Sequence, residues 1–201
     1  MNTIDYYLAP QSPWTYLGHE RFLRIAAAAG ATVRVLPVDL GGKIFPVSGG
    51  LPLGQRAPQR QAYRLVDLAR FCDSLGVPLN VKPKHFPVPA DDAARLIIAV
   101  DQADGAAPAL RLAGALLAAV WAQERDIASA ATRAELLAEC DLSAQRALDA
   151  DAPEVQTRYE RHTQQAIDAG VFGSPSYVLN GEIFWGQDRL DLLQWRLSQG
   201  R

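Results

Sequence analysis

Thr3-Ile4-Asp5-Tyr6-Tyr7-Leu8-Ala9-Pro10-Gln11-Ser12-Pro13-Trp14-Thr15-Tyr16-Leu17-Gly18 changes its periodicity half-way along. Thr3 to Ala9 are rich in β-branched and aromatic residues and predict a strand, which Pro10 ends. A helix follows at once. Ser12 offers a capping oxygen, and Pro13 suits the first turn because no intrahelical hydrogen bond is lost there. Tyr16, Leu17, Phe22, Leu23 and Ile25 supply an apolar face, and Gly30 stops the helix. Thr32-Val33-Arg34-Val35-Leu36-Pro37-Val38 predicts a second short strand, so the chain opens as a βαβ unit with a parallel pair.

Further along, residues 40 to 54 carry five glycines and two prolines, more than a regular element tolerates, and predict a long loop of the kind that carries function. Helical patterning then dominates: Tyr63 to Leu75, Ala90 to Gln102, Ala107 to Glu124, Thr132 to Glu139, Leu142 to Leu148 and Pro153 to Ala169, with a proline-rich break from Val77 to Pro89. Strand character returns at Ser176-Tyr177-Val178-Leu179 and Glu182-Ile183-Phe184-Trp185, which flank Asn180-Gly181, the strongest two-residue hairpin signal. A last amphipathic helix runs from Gln187 to Leu197. The order βα, β, helical block, ββα predicts an α/β chain: a thioredoxin-like domain from residues 1–55 and 165–201, with a large helical insertion over about 56–164.

A chain of 201 residues, 49% hydrophobic, can bury a large core. Its formal charge of −2 leaves no broad basic field for a nucleic-acid backbone. No apolar run approaches the ~18 residues that span a bilayer, and the first residues lack the pattern of a secretion signal, so a cytoplasmic location is the expectation. Cys72 and Cys140 are too far apart in sequence for a C-x-x-C redox pair and too few for a zinc cage; both read as core thiols. His19, His85 and His162 show no metal-ligand spacing, and His162, beside Arg158 and Arg161, reads as part of a polar helix face. Without a Gly-x-Ser-x-Gly elbow or a His-x-x-x-His pair, neither a metal site nor a Ser/His/Asp triad is expected.

Three junctions can carry chemistry. At Gln11-Ser12-Pro13-Trp14, unpaired N–H groups and the positive end of the helix dipole favour an anion, and the Ser12 hydroxyl can donate a charge-assisted hydrogen bond to a visiting thiolate. With serine in place of a first redox cysteine, such a site stabilises a thiol and does not exchange disulfides; an ordinary Ser-Pro helix cap is the plainer reading. At Gly170-Val171-Phe172-Gly173-Ser174-Pro175-Ser176, a cis or extended Ser174-Pro175 turn can present its backbone to an extended peptide, or serve only as a turn into a strand. At Phe184-Trp185-Gly186-Gln187-Asp188-Arg189-Leu190, Asp188 is either a helix-dipole partner or, with Gln187, the receiver of an α-amine and α-carboxylate.

Taken in order, Ser12-Pro13-Trp14-Thr15-Tyr16-Leu17-Gly18, Gly170 to Pro175 and Phe184 to Leu190 resemble the 2-hydroxychromene-2-carboxylate isomerase family, which groups with the kappa-class glutathione transferases. The likeness spans nearly the whole chain, including Gly41-Gly42, Ser48-Gly49-Gly50, and Tyr63 with Asp67. It implies a DsbA-like thioredoxin fold with an inserted helical lobe, glutathione as cofactor, a homodimer, and an aromatic substrate of a degradative route. Ser12 would face the glutathione sulfur as the catalytic group. Pro13, Trp14, Gly50, Arg60, Ser174, Pro175, Gln187 and Asp188 would bind the tripeptide, with Ser174 on the cysteinyl backbone and Gln187 and Asp188 at the γ-glutamyl end. The implied reaction interconverts 2-hydroxychromene-2-carboxylate and trans-o-hydroxybenzylidenepyruvate. The chain departs from that pattern where Gly50 replaces Asn, where Arg60 replaces Lys, and where Phe86-Pro87-Val88-Pro89 replaces Phe-Pro-x-Asn. Two other functions stay open: a transferase or peroxidase using glutathione on another electrophile, and a redox-inactive thioredoxin-fold binding module.

Overall fold

The computed structural model describes residues 2–199. Strand β1 (Thr3–Leu8) pairs in parallel with β2 (Thr32–Pro37) and antiparallel with β3 (Ser176–Leu179), which pairs antiparallel with β4 (Glu182–Trp185). The sheet order is β2-β1-β3-β4. Helix α1 (Pro13–Ala28) joins the parallel pair, and Gly30, at φ 59°, lets the chain leave it in the left-handed region. The β3–β4 turn uses Asn180 and Gly181 at φ 51° and 83°, the positive pair that matches a two-residue loop to the twist of its strands.

Side-chain alternation divides the sheet between two cores. Ile4, Tyr6 and Leu8 of β1 join Val35, Tyr177, Leu179 and Phe184 in the larger cluster, whereas Tyr7, Leu36 and Val178 enter a smaller one on the other face with Ile44, Ala166 and Val171. At the centre, Tyr6 stacks on Tyr177 with centroids 5.3 Å apart and planes 10° from parallel, and Phe22 packs against both rings. Buried His19 ties three elements together. Its Nε2 bonds the Leu110 carbonyl at 3.0 Å, so Nε2 carries the proton and Nδ1 accepts from Tyr6 OH, also at 3.0 Å.

Between β2 and β3 lie α2 (Phe45–Ser48), α3 (Pro58–Leu75), α4 (Asp91–Asp104), α5 (Ala106–Trp121), α6 (Ala130–Glu139), α7 (Gln145–Asp149) and α8 (Pro153–Asp168); α9 (Leu190–Ser198) closes the chain. Helices α4 and α5 pack on each other and on β2. Their Ile97, Leu112, Leu116 and Trp121 belong to the same core as the sheet residues, so the inserted lobe has no separate hydrophobic centre. No helix among the described residues is long and apolar enough to cross a membrane.

Two local expectations are corrected. Residues 40 to 54 are not an open loop: a single wide turn over Leu40–Ile44, capped by the Asp39 carboxylate on the Gly42 N–H at 2.7 Å, runs into α2, and a 3₁₀ turn covers Leu53–Gln55. A count of glycines misses this because the cap and the fully buried Ile44 anchor the segment. His162 lies in the buried stripe of α8 with Val155, Tyr159, Thr163 and Ala166, and not on a polar face. Its apolar neighbours at helical spacing outvoted the two flanking arginines. The thiols of Cys72 and Cys140 are free and half-buried, and of the two only Cys140 packs against the larger core among the described residues.

Candidate active site

The strand-to-helix turn after β1 brings the first two junctions together. Ser12 is the N-cap of α1, at φ −79° and ψ 124°, and its Oγ accepts from the Thr15 N–H at 3.2 Å. The same hydroxyl donates to the Ser174 carbonyl at 3.3 Å. Ser174 Oγ accepts from the Ala9 N–H at 2.8 Å and pairs with Thr15 Oγ1 at 3.0 Å, so its side chain locks the loop before β3 onto β1 and α1. The Ser174–Pro175 peptide is cis. Pro175 passes its carbonyl to the Gly186 N–H at 2.9 Å, which fixes the loop against β4. Neither the Trp14 nor the Ser174 N–H has a hydrogen-bond partner among the described residues. Two amides and a hydroxyl thus stand at one helix mouth, a place suited to negative charge.

This mouth opens on a cavity of about 1070 Å³. The sheet side contributes Ala9, Gln11, Ser12, Pro13, Trp14, Phe45, Gly173, Ser174 and Trp185, and the lobe contributes Arg56, Arg60, Tyr63, Arg64, Asp67 and Phe86. Trp185 is seated by Gly173, where a Cβ would lie 2.1 Å from the indole Nε1. The cis peptide Phe86–Pro87 shapes the far wall. Arg56, Arg60 and Arg64 face one acid, Asp67, so the lining is electropositive. Burial lowers the Arg56 guanidinium with help from Arg60, and burial with the nearby Arg56 brings Arg64 down to about 10; both stay cationic near neutrality. Neither Cys72 nor Cys140 lines the cavity.

Residues 3–198 match the family model described as the DSBA-like thioredoxin domain. The chain belongs to that family. Among curated relatives, the 2-hydroxychromene-2-carboxylate isomerase of Pseudomonas putida is 28% identical to this DSBA-like chain over 194 residues, covering 95% of it and 92% of the relative. The enzyme of the same name from Sphingobium xenophagum is 28% identical over 201 residues, with 96% of each chain covered. Of solved structures, a 2-hydroxychromene-2-carboxylate isomerase superposes with a TM-score of 0.83 at 24% identity, covering 98% of this chain and 95% of the other. The cytosolic disulfide reductase DsbM from Pseudomonas aeruginosa, with GSH, gives 0.68 at 17%, covering 98% and 99%. These structural likenesses carry the fold.

In this DSBA-like domain the predicted residues divide into two groups. Ser12, Pro13, Trp14, Gly50, Arg60 and Ser174 line one cavity, and Pro175 lies directly behind Ser174. Gln187 and Asp188 lie outside the lining. Gln187 is 2% exposed and turned toward α1, against Gly18, and Asp188 pairs with Arg189 at 2.7 Å. At Gly50 a Cβ would fall 2.2 Å from the Phe45 ring, which therefore occupies the place a larger residue would need. Three contributors escaped sequence reading: Thr15, which braces Ser174, and the pair Arg56 and Arg64. Part of the signal was present, since the arginines at 56, 60 and 64 are spaced four apart, although only Arg60 and Arg64 lie on α3 and Arg56 is extended just before it.

Proposed function

We propose that this chain is a glutathione-dependent isomerase that interconverts 2-hydroxychromene-2-carboxylate and trans-o-hydroxybenzylidenepyruvate, with Ser12 as the catalytic residue. One observation carries the reading: Ser12, Trp14 and Ser174, the last two with N–H groups unpaired among the described residues, together line an aromatic and arginine-bearing cavity. Curated relatives of that name along nearly the whole chain support the same reaction.

The residues present suit glutathione at its sulfur and cysteinyl end. A thiolate at the helix mouth would draw the Ser12 hydrogen away from the Ser174 carbonyl and make a charge-assisted hydrogen bond in exchange. Trp14 N–H and the dipole of α1 add to the same charge. The free Ser174 N–H can pair with a cysteinyl carbonyl in the manner of an added strand. Arg60, exposed and without a bonded partner among the described residues, is the candidate for the glycyl carboxylate, with Gly50 contributing backbone alone. Asp188, freed from Arg189, would take the γ-glutamyl amine, and Gln187 would support the turn behind it. When bound, glutathione supplies a nucleophilic thiol that adds reversibly to a conjugated keto acid. Around it, Ser12 holds the sulfur's negative charge, and the aromatic walls exclude water from the reacting carbons.

Incubation with glutathione and the chromene carboxylate tests the proposal by ultraviolet absorbance. Turnover that requires glutathione and consumes none of it is expected. Absence of turnover at every glutathione concentration contradicts the reaction, and stoichiometric loss of thiol assigns a transferase in its place.

A further inference from the structure

Arg64 is only 9% exposed, yet its guanidinium makes no hydrogen bond or ion pair with any described residue. It lies over the rings of Phe86 and Trp121, at 5.1 and 5.6 Å from their centroids, while reaching the cavity wall. Burying a cation without an anion is costly, and cation–π contact offsets only part of that cost. Burial above all, with repulsion from Arg56 after it, brings the Arg64 pKa down to about 10, while Asp67, one turn along α3, lies 4.0 Å from Arg70. The chain itself therefore leaves this charge uncompensated.

The two ring contacts engage the guanidinium without hydrogen-bonding it, so the N–H groups along its edge remain for a ligand. Those edge donors match the two oxygens of a carboxylate, a geometry that lysine lacks. Position adds to the argument. The indole N–H of Trp121 donates to the Gln11 carbonyl at 3.2 Å, so the ring under Arg64 is pinned to the turn that carries Ser12.

We propose that Arg64 is the carboxylate-recognition residue of the cavity: its guanidinium edge receives the carboxylate of an aromatic acid whose flat portion lies along the aromatic wall. This rests on the reading of the cavity as a substrate site and adds a specificity-determining residue to it. It separates the cavity's arginines by role, Arg60 toward the tripeptide and Arg64 toward the second substrate.

Calorimetric titration of the full chain with 2-hydroxycinnamate, with its neutral amide and with glutathione tests the assignment. Wild type should bind the acid at least about tenfold more tightly than the amide, a preference that a charge-assisted pair supplies. Arg64→Met should weaken the acid by about 10- to 100-fold and erase that preference, while Arg64→Lys, which keeps charge without the planar fork, should fall between. Glutathione affinity should stay within about threefold in both variants, because Arg64 is assigned to the other ligand. If the Met variant does not fold, the Lys variant decides by the same comparison. No acid binding to wild type, equal binding of acid and amide, or undiminished acid binding in the variants overturns the assignment; so does a loss confined to glutathione, which places Arg64 on the tripeptide. An acid preference that depends on Arg64 in a protein without isomerase turnover sinks the reaction and keeps this site. Turnover with an unchanged KM in Arg64→Met does the reverse.

Discussion

At Ser12 one oxygen caps α1 and faces the cavity, and the two duties separate in their effects. Ser12→Ala should lower stability by about 1 kcal/mol through loss of the cap, read from a urea midpoint. Turnover should fall roughly ten to a thousand fold, as removal of one charge-stabilising donor does. Turnover equal to wild type would leave the hydroxyl as a cap alone. His162 gives a second test at this scale. Burial above all, with Arg158 next, pushes its pKa down to about 4. Below the ordinary value of ~6.5 the unfolded chain takes up a proton that the folded chain refuses, so stability falls as pH drops from ~6.5 toward 4. This site contributes about 2 to 3 kcal/mol to that loss at most, and nothing above the window. His162→Gln should flatten the profile there without removing the part due to His19, whose pKa burial also lowers. An identical slope in the variant would remove His162 as its source. Of these features, Ser12 at a helix start was legible because capping is local chemistry, whereas the environment of His162 depends on which face α8 turns to β2.

Among the elements, α1 bears a constraint that runs against helix propensity. Gly18 lies in its interior, where alanine ordinarily stabilises by up to ~1 kcal/mol. Here a Cβ would meet the Gln187 Cβ at 2.7 Å and the Tyr177 hydroxyl at 3.0 Å, because the turn before α9 is pressed against the helix. Gly18→Ala is therefore expected to destabilise by about 1 to 3 kcal/mol, opposite in sign to propensity. A higher urea midpoint in the variant would show that the contact yields. The same contact explains why the third junction was only half readable. Residues 184 to 190 announce a strand, a turn and a helix, and all three form, but the direction in which Gln187 points is set by Gly18, 169 positions earlier. Strand alternation and the Asn180-Gly181 turn were legible for the converse reason: period and positive φ are written within a few residues. The segment from 40 to 54 was misread because its order comes from Asp39 and Ile44, which a tally of glycines does not weigh.

For the molecule as a whole, the site belongs to two layers at once. The sheet frame brings Ser12 and Ser174 together, and the inserted lobe adds the arginines and Tyr63 and Phe86 of the aromatic wall, with the larger of the two cores shared between frame and lobe. The frame could be read from element order. The cavity could not, because its lining joins segments up to 176 residues apart, from Ala9 to Trp185, and only tertiary packing sets that geometry. The proposed thiol site at the mouth of α1 is what would unite frame, lobe and chemistry. The most direct test is to titrate the thiol of glutathione bound to the full chain by thiolate absorbance. A pKa at least about one unit below the ~8.5 of a free cysteine thiol, rising toward it in Ser12→Ala, is expected. A bound thiol that titrates as it does in free solution would contradict the account.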